Sequence, residues 1–326
     1  MNALVIPTNS AERLAEFLEA WAPWPWDRII VIQDAPTADL TIPGALREAA
    51  EQRLEVHAWD DIDAVIPDPS VISRQDSAIR SFGFWRAWAT GAEIIFTLDD
   101  DCYPCGEGFV EAHRDNLYRT PAWQSSVPGM RVRGLPYRNA GVLRDVHVSM
   151  GLWRGVPDVD AVSTLAGRDE PLGAVRTRVM PAAQYFPLSG MNVAFRREVA
   201  CLMYFPPMGL GRPFRRFDDI WGGLTLQRVC RHLGYAITCG DPVVDHRRAS
   251  DPFVNLEKEA PGIAANEHVW ETVDAVPLTG TTPHACMVEL GTALAAEEGY
   301  LGDWGRGILG WCRMFESAPV TAPVAP

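Results

Sequence analysis

Three consecutive aspartates, Asp99, Asp100 and Asp101, directly follow the apolar run Ile94–Leu98. Such a run is typical of a buried strand, and three like charges at its end repel one another. Alternate residues of an extended segment face the same side, so Asp99 and Asp101 can converge while Asp100 points elsewhere. Hard divalent cations bind carboxylates together with phosphate oxygens of a substrate. The triplet therefore predicts either a metal site for a nucleoside diphosphate or an acidic turn after a strand.

The chain before the triplet alternates between strand and helix patterns. Ser10 can cap a helix whose apolar residues recur at helical spacing, and a second helix is predicted over residues 76–90. Buried strands are predicted at residues 4–6, 28–33, 54–59 and 93–98. This alternation predicts an α/β fold with a mostly parallel central sheet flanked by helices. Ligands of such sheets bind beyond the carboxyl ends of the strands, where the aspartates lie.

The rest of the chain is less regular. Residues 104–187 are rich in Gly, Pro and Arg, which is typical of a long binding loop or functional insertion. Helical patterns return at residues 197–203 and 220–233, the second ended by Gly234. We expect one domain over residues 1–316, helical from about residue 256, and a disordered tail at 317–326.

Composition excludes several classes of protein. A formal charge of −13 argues against a nucleic-acid partner, which requires a basic face. No apolar run reaches membrane-spanning length, and the first residues lack the pattern of a signal peptide. Seven scattered cysteines favour reduced thiols over a disulfide framework. These features predict a cytoplasmic protein without a membrane span, and they leave open whether it forms a homo-oligomer.

Further polar residues are predicted to meet at the same edge of the sheet. Pro7 and Thr8 end the first strand, and Asp34 follows the second. Asp34 can accept hydrogen bonds from a uracil ring or a ribose, or it can form a turn. Arg80, near the start of a helix, can pair with a phosphate or with the acidic triplet, or lie exposed.

Two later segments are also candidates. Asp218 and Asp219 either face a sugar or complement the dipole of the helix that they begin. His246 either acts as an extra metal ligand or makes a structural hydrogen bond, and the arginines that follow it can hold phosphate.

Taken together, these segments resemble the UDP-arabinopyranose mutases, also called reversibly glycosylated polypeptides and best known from plants. The order is kept over roughly residues 4–265. The matching segments are residues 6–8, 31–34, 76–83, 97–102, 133–137, 151–153, 157–161, 189–195, 203–205, 216–223 and 249–256.

The resemblance implies a GT-A-like nucleotide-sugar fold, a divalent metal (usually Mn²⁺, with Mg²⁺ as the alternative) and interconversion of UDP-L-arabinopyranose with UDP-L-arabinofuranose. It also implies reversible attachment of the sugar to an arginine of the enzyme. Carried over by position, the residues fall into three sets. The metal set is Asp99, Asp101 and His246; the catalytic set is Arg138, Asp218 and Asp219; the substrate-binding set is Pro7, Thr8, Asp34, Arg80, Asp100, Gly190 and Asn192.

The sequence departs from the family at the reactive arginine. In the family, two residues separate this arginine from the Gly-x-Pro-aromatic element, whereas Arg138 follows Tyr137 directly and Arg144 lies further on. Met150 stands where the plant proteins have His, so the sugar can differ.

Two other functions stay open at this point. One is a glycosyltransferase that passes the sugar of a UDP-sugar to a separate acceptor. The other is a non-enzymatic, self-glycosylated protein primer. Ring interconversion without an added acceptor favours the mutase over both.

Overall fold

A computed structural model describes residues 1–50, 53–118, 133, 145–170, 172–181, 184–209, 211–247 and 250–316. The strands are β1 (Asn2–Thr8), β2 (Arg28–Gln33), β3 (Leu54–His57), β4 (Ile94–Leu98), β5 (Cys102–Pro104), β6 (Val146–Gly155), β7 (Arg178–Val179), β8 (Asn192–Arg196) and β9 (Ala236–His246). The helices are α1 (Ala11–Trp21), α2 (Gly44–Ala50), α3 (Trp59–Val65), α4 (Arg80–Ala89), α5 (Phe109–Tyr118), α6 (Ala161–Leu165), α7 (Asp218–Leu233), α8 (Pro252–Ala275), α9 (Pro283–Ala295) and α10 (Gly299–Glu316).

All nine strands belong to one sheet in the order β3-β2-β1-β4-β8-β6-β9-β5, with β7 paired to β9. Strands β1, β2, β3, β4, β6 and β9 run in one direction, whereas β5, β7 and β8 run in the other. The predicted α/β fold, with a central sheet flanked by helices, is confirmed, and six of the nine described strands run in one direction. Because β8 enters antiparallel between β4 and β6, the start of β8 lies beside the end of β4, and this places Asn192 opposite Leu98.

The first third of the chain folds as its pattern predicts. Ser10 caps α1 through a hydrogen bond from the backbone N–H of Arg13, and the apolar face of α1 packs on the sheet. Strand β2 has the predicted bounds. The helix predicted over residues 76–90 begins as a 3₁₀ turn, Ser77–Ile79, capped by Asp76, before α4 starts at Arg80.

Three predictions of secondary structure are wrong. The third strand ends at His57, and Trp59 instead begins α3. Residues 197–202 form a 3₁₀ helix rather than an α-helix. Within the stretch predicted to be irregular lies β6, in which the buried polar residues His147 and Ser149 alternate with apolar ones and break the apolar run.

The C-terminal helices pack against the side of the sheet that α4 covers. Two buried indole N–H groups tie this layer together, since Trp311 donates to the carbonyl of Cys201 at 2.8 Å and Trp85 donates to that of Met314 at 3.0 Å. Gly234 ends α7 in a left-handed conformation with φ 76°, as predicted. No helix in the described part of the chain is long and apolar enough to cross a membrane.

Candidate active site

A cavity of about 360 Å³ opens at the carboxyl ends of β1, β2 and β4. This is the edge at which the sequence predicts ligand binding. The cavity is lined by Pro7, Thr8, Asn9, Arg13, Asp34, Gln75, Asp76, Ser77, Ile79, Arg80, Asp99, Asp100 and Asp101. Seven of the residues proposed from the sequence therefore meet here, since Pro7, Thr8, Asp34, Arg80 and the three aspartates of the triplet all belong to this lining.

Arg80 is a buried cation at the inner wall of the cavity, with only 2% of its surface exposed. Its guanidinium donates to the carbonyl of Gly190 at 2.7 Å and pairs with the carboxylate of Asp99. Burial lowers the pKa of Arg80, but attraction to Asp99 and to the pair at the start of α7 outweighs it, so the net direction is upward. Arg80 therefore remains charged and fixes Asp99 and Gly190 relative to each other.

More carboxylates than cations surround Arg80. Asp218, 3% exposed, accepts a hydrogen bond of 2.6 Å from the Ser77 hydroxyl, and Asp219 accepts one of 2.8 Å from the Gly190 N–H. Asp158 accepts one of 2.7 Å from the Ser189 hydroxyl. We call this group the acidic cluster: Asp76, Asp99, Asp158, Asp218 and Asp219, with Arg80.

Burial and mutual repulsion raise pKa values in the acidic cluster. Burial and then the charge of Asp218 raise the pKa of Asp219 to about 8 and that of Asp76 to about 7. Burial also raises the pKa of Asp218, against the Ser77 hydrogen bond and the charge of Arg80. Carboxyl groups that bind protons near neutral pH can serve as general acids and bases.

Asp100 points away from its two neighbours, as the alternation of a strand predicts. It accepts hydrogen bonds from the Thr8 hydroxyl at 2.6 Å and from Arg13 Nε at 3.0 Å. Another donor of Arg13 binds the side-chain oxygen of Asn9 at 2.6 Å. Asp100 therefore joins the end of β1 to α1 and holds Arg13 at the rim of the cavity.

Asp101 directly precedes β5 and lies near His246 at the end of β9, with His246 Nε2 at 3.8 Å from Asp101 Oδ1. His246 Nδ1 donates to the carbonyl of Val156 at 2.8 Å, so in the neutral ring Nε2 presents a lone pair to the Asp101 carboxylate. Burial lowers the pKa of His246, but the contacts with Asp101 and Val156 outweigh it and raise it. This pair can share a proton, which the raised pKa of His246 favours. A carboxylate oxygen and an imidazole nitrogen are also donors that a divalent cation binds.

Asp99 does not complete that pair. Among the described residues, no three His, Cys, Asp or Glu side chains are gathered in a way that could hold a metal ion. Asp99 instead pairs with Arg80. The metal set predicted from the sequence is thus brought to one edge of the sheet, but only two of its three members adjoin.

Asp34 directly follows β2 and lines the cavity. Its Oδ1 accepts hydrogen bonds from the Trp59 indole N–H at 2.8 Å and from the Gln75 backbone N–H at 2.9 Å. Arg74 stacks on the Trp59 ring at 5.2 Å. These contacts fix the Asp34 carboxylate at the carboxyl end of β2, where a nucleoside can bind.

Asn192 does not line the cavity. It is 1% exposed, and its amide nitrogen donates to the carbonyls of Leu152 and Pro242 at 3.1 and 3.0 Å. Its side-chain oxygen lies 3.0 Å from His113 Nε2. The Ser149 hydroxyl accepts from Asn116 at 3.1 Å and lies 2.8 Å from His113 Nδ1. Ser149 therefore donates to Nδ1, and Nε2–H donates to Asn192.

We call His113, Asn116, Ser149 and Asn192 the neutral network. Burial lowers the pKa of His113 to about 4, which agrees with an uncharged ring that both donates and accepts. Gly151 makes room for this network, because a Cβ there would lie 2.1 Å from the Asn192 amide nitrogen. The predicted role of Asn192 in substrate binding stays a prediction, and no donor of its amide is left for a ligand.

The sequence matches the family described as reversibly glycosylated polypeptide over residues 2–318. The chain belongs to this family.

The chain is similar to several proteins named UDP-arabinopyranose mutase. This chain is 36% identical over 312 residues to UDP-arabinopyranose mutase 1 of Arabidopsis thaliana, covering 88% of this chain and 83% of that protein. It is 33% identical over 355 residues to UDP-arabinopyranose mutase 3 of the same plant, covering 99% and 94%. It is 35% identical over 308 residues to UDP-arabinopyranose mutase 1 of rice (Oryza sativa subsp. japonica), covering 87% and 79%. The resemblance inferred from the motifs is thereby confirmed.

One solved structure with a weaker likeness is 4-diphosphocytidyl-2C-methyl-D-erythritol synthase from Anaerococcus prevotii. It is 10% identical, with a TM-score of 0.35, and the match covers 82% of this chain and 98% of that one.

Sequence reasoning missed several residues of this family member's site. Arg13 carried no signal, because its contact with Asp100 joins positions 87 residues apart. Asp158 and Asp76 lie in segments that carried the resemblance but had no role assigned to them. An aspartate just before a Ser-Ala-Ile turn is typical of a helix cap, and only the fold shows that Asp76 also lines the cavity.

Some predicted residues lie outside the described part of the chain. These are both candidate reactive arginines, Arg138 and Arg144, the basic residue Arg248, and the tail predicted at residues 317–326. Between residues 119 and 144 the structure describes only Arg133, which is exposed.

Proposed function

We propose that this chain is a metal-dependent UDP-sugar mutase. It interconverts pyranose and furanose forms of the sugar, expected to be those of UDP-L-arabinose, through reversible glycosylation of Arg138. The observation that carries the proposal is the cavity at the strand ends, whose lining includes the fixed carboxylate of Asp34 and also Asp101, which faces His246. Similarity to UDP-arabinopyranose mutases over most of the chain supports the choice of substrate.

The nucleotide is proposed to lie along the cavity. Asp34 accepts a hydrogen bond from the uracil ring or the ribose, beside Pro7 and Thr8. Asp101 and His246 would hold a divalent cation, expected to be Mn²⁺, with Mg²⁺ as the alternative. When bound, the cation supplies positive charge that stabilises UDP as a leaving group. Arg13, whose side chain is 28% exposed at the rim, adds a second positive charge for the diphosphate.

The ring change requires the anomeric carbon to leave UDP and return to it. A guanidinium nitrogen of Arg138 attacks this carbon, the bond to the UDP oxygen breaks, and the nitrogen loses a proton. The ring oxygen then leaves as the nitrogen lone pair forms an iminium, and it takes up a proton. A different sugar hydroxyl closes the new ring and loses its proton. A phosphate oxygen of UDP finally displaces the arginine, which regains its proton.

Asp219 or Asp218 is proposed to accept and return these protons. Arginine is a weak nucleophile because it stays protonated, so a carboxylate must take its proton as the new bond forms. Burial raises the pKa of both residues, and the value of about 8 for Asp219 suits such exchange near neutral pH. Gly190, whose N–H binds Asp219 and whose carbonyl binds Arg80, fixes their separation.

Intact mass spectrometry followed by peptide mapping tests this proposal. The protein is mixed with UDP-L-arabinopyranose and Mn²⁺, and we expect a pentose label on Arg138 that excess UDP removes. Arg138→Lys should abolish labelling and ring interconversion while UDP still binds, because lysine lacks the guanidinium geometry. Arg144→Lys is the matched control.

The outcomes separate the alternatives. A label on Arg144 would move the nucleophile and keep the mechanism. Ring interconversion that survives loss of both arginines would overturn the mechanism. A permanent label without interconversion would indicate a self-glycosylated primer, and transfer to an added acceptor would indicate a glycosyltransferase. The single-domain organisation, the cytoplasmic location and the oligomeric state stay predictions.

A further inference from the structure

Gln75 has an unfavourable backbone conformation at the rim of the cavity. Its φ is +59°, in the left-handed region that residues other than Gly, Asn and Asp rarely adopt. The conformation is imposed from two sides. The backbone N–H of Gln75 donates to Asp34 at 2.9 Å, and the preceding carbonyl lies so close to Gly209 that a Cβ there would be 1.7 Å from it. Strain of this kind persists where function requires it.

The side chain of Gln75 is exposed and lines the cavity. No hydrogen bond joins its amide to any described residue, although its neighbours Asp76 and Ser77 are both bound to protein groups. A primary amide offers two donors and one acceptor. The strained backbone thus presents unused hydrogen-bonding capacity to a ligand.

Gln75 and Asp34 together form a two-point pattern. Both hydrogen bonds from Trp59 and Gln75 end on Asp34 Oδ1, and a carboxylate can accept about four, so Asp34 can accept one more. An acceptor beside an amide donor matches uracil, which offers N3–H and the O4 acceptor. Cytosine offers the reverse, an N3 acceptor and an N4 amino donor.

We propose that Gln75 selects the base of the nucleotide. Its amide N–H donates to O4 of uracil while Asp34 accepts the N3–H. This inference rests on the proposed function, in which the cavity binds a UDP-sugar. It assigns specificity for uracil over cytosine to a residue that the sequence motifs did not single out.

Calorimetric binding of UDP and of CDP in the presence of Mn²⁺ tests the inference, because the two ligands differ only in the base. We expect the unsubstituted protein to prefer UDP. Gln75→Ala should reduce that preference about tenfold, the effect of one lost hydrogen bond. Gln75→Glu should reduce it further, because a carboxylate then faces O4 and can accept from the cytosine amino group.

Two controls separate specificity from folding. Gln75→Asn tolerates the left-handed backbone but shortens the side chain, so we expect it to lose the preference without losing thermal stability. Gln184→Ala removes an exposed glutamine that lines a different cavity and should leave the preference unchanged.

An unsubstituted protein that binds UDP no more tightly than CDP would overturn both the proposed function and this inference. A protein that prefers UDP, with the same preference in all three Gln75 variants, would overturn this inference alone.

Discussion

Two groups of polar side chains lie near the start of β8, one around Asn192 and one around Gly190, and they differ in how far charge is balanced within the protein. The neutral network uses its donors and acceptors on other protein groups and carries no net charge. The acidic cluster contains five carboxylates and one buried arginine, and burial, followed by repulsion among its members, raises pKa values. One group is therefore neutral, whereas the other holds more carboxylates than cations.

The difference supports the proposal that the acidic cluster is the catalytic group. A satisfied network rigidifies the fold and specifies its packing, so the neutral network holds the start of β8 and the bulged end of β6 in place. Uncompensated charge is costly to bury and persists where it serves chemistry. We therefore assign catalysis to the acidic cluster and a supporting role to the neutral network.

The largest effect that this comparison predicts is on turnover. Asp219→Asn should lower the rate of ring interconversion about 10³-fold, because it removes the group proposed to move the proton. UDP affinity should stay within about threefold, since the variant leaves the nucleotide end of the cavity intact. Steady-state kinetics and calorimetry measure both.

Stability is the control for that variant. The backbone N–H groups of Gly190 and Ile220 bind different oxygens of the Asp219 carboxylate. Asparagine keeps only one of these oxygens, so a loss of about 1–2 kcal/mol is expected. Asp303→Asn, on an exposed face of α10, is the matched surface substitution. Normal turnover in Asp219→Asn would reduce its role to a contact at the start of a helix.

The opposite pattern is expected in the neutral network. His113→Phe should lower the free energy of unfolding by about 3 kcal/mol, because it removes the partner of the Asn192 side-chain oxygen and of the Ser149 hydroxyl proton. The new ring has room among aromatic neighbours, since Phe109 and Phe96 pack edge-on against His113. Urea unfolding measures the loss, and turnover per folded molecule should be retained. A selective loss of UDP affinity would instead make Asn192 a substrate contact.

The two groups also predict opposite pH dependences of stability. The pKa of His113 is lowered by burial from 6.5 to about 4, so between these values the unfolded chain binds more protons and stability falls as the pH falls. At about 1.4 kcal/mol per pKa unit, this amounts to about 3 kcal/mol. The pKa values of Asp76 and Asp219 are raised to about 7 and 8. Between the usual aspartate pKa of about 4 and these raised values, the folded protein binds more protons than the unfolded chain. Its stability therefore falls as the pH rises from about 4 toward 8.

Variants isolate each contribution in unfolding experiments at several pH values. The deficit of His113→Phe relative to the unsubstituted protein should shrink as the pH falls from 6.5 to 4. Asp219→Asn should gain relative stability as the pH rises to 8, because asparagine cannot ionise. Parallel curves for either variant would remove the corresponding buried group from the account.

A smaller effect is expected at the pair formed by Asp101 and His246. Asp101→Asn should weaken Mn²⁺-dependent binding of UDP about tenfold, since a neutral amide is a weaker ligand for a hard cation than a carboxylate. Affinity measured in the presence of a chelator should not change. A Mn²⁺-dependent affinity equal to that of the unsubstituted protein would exclude Asp101 as a ligand.

The parts of the site that sequence predicted are those whose signals are local. The acidic triplet ends a strand, Asp34 ends the neighbouring strand, and parallel pairing brings both to one edge. Asp218 begins the predicted helix α7, two residues earlier than expected. Motif resemblance supplied Gly190, because the order of the family's motifs carries long-range information.

The parts that sequence missed depend on contacts between distant segments. The sequence left open whether Arg80 pairs with the acidic triplet, and only the packing of α4 on β4 decides that Asp99 pairs with it rather than with His246. Strand β6 was missed because its polar residues face a second set of polar residues on α5. The strain at Gln75 arises from the approach of Gly209, which lies 134 positions further along the chain. No local pattern encodes these approaches.

The central proposal is that the acidic cluster catalyses a change in the ring size of the sugar. The direct measurement is proton NMR of UDP-L-arabinopyranose incubated with the protein and Mn²⁺, without any acceptor. We predict that furanose signals of the UDP-sugar appear and reach a constant ratio with the pyranose signals, and that Asp219→Asn suppresses them. A spectrum in which the pyranose persists unchanged, or is converted only to free sugar and UDP, would contradict the account.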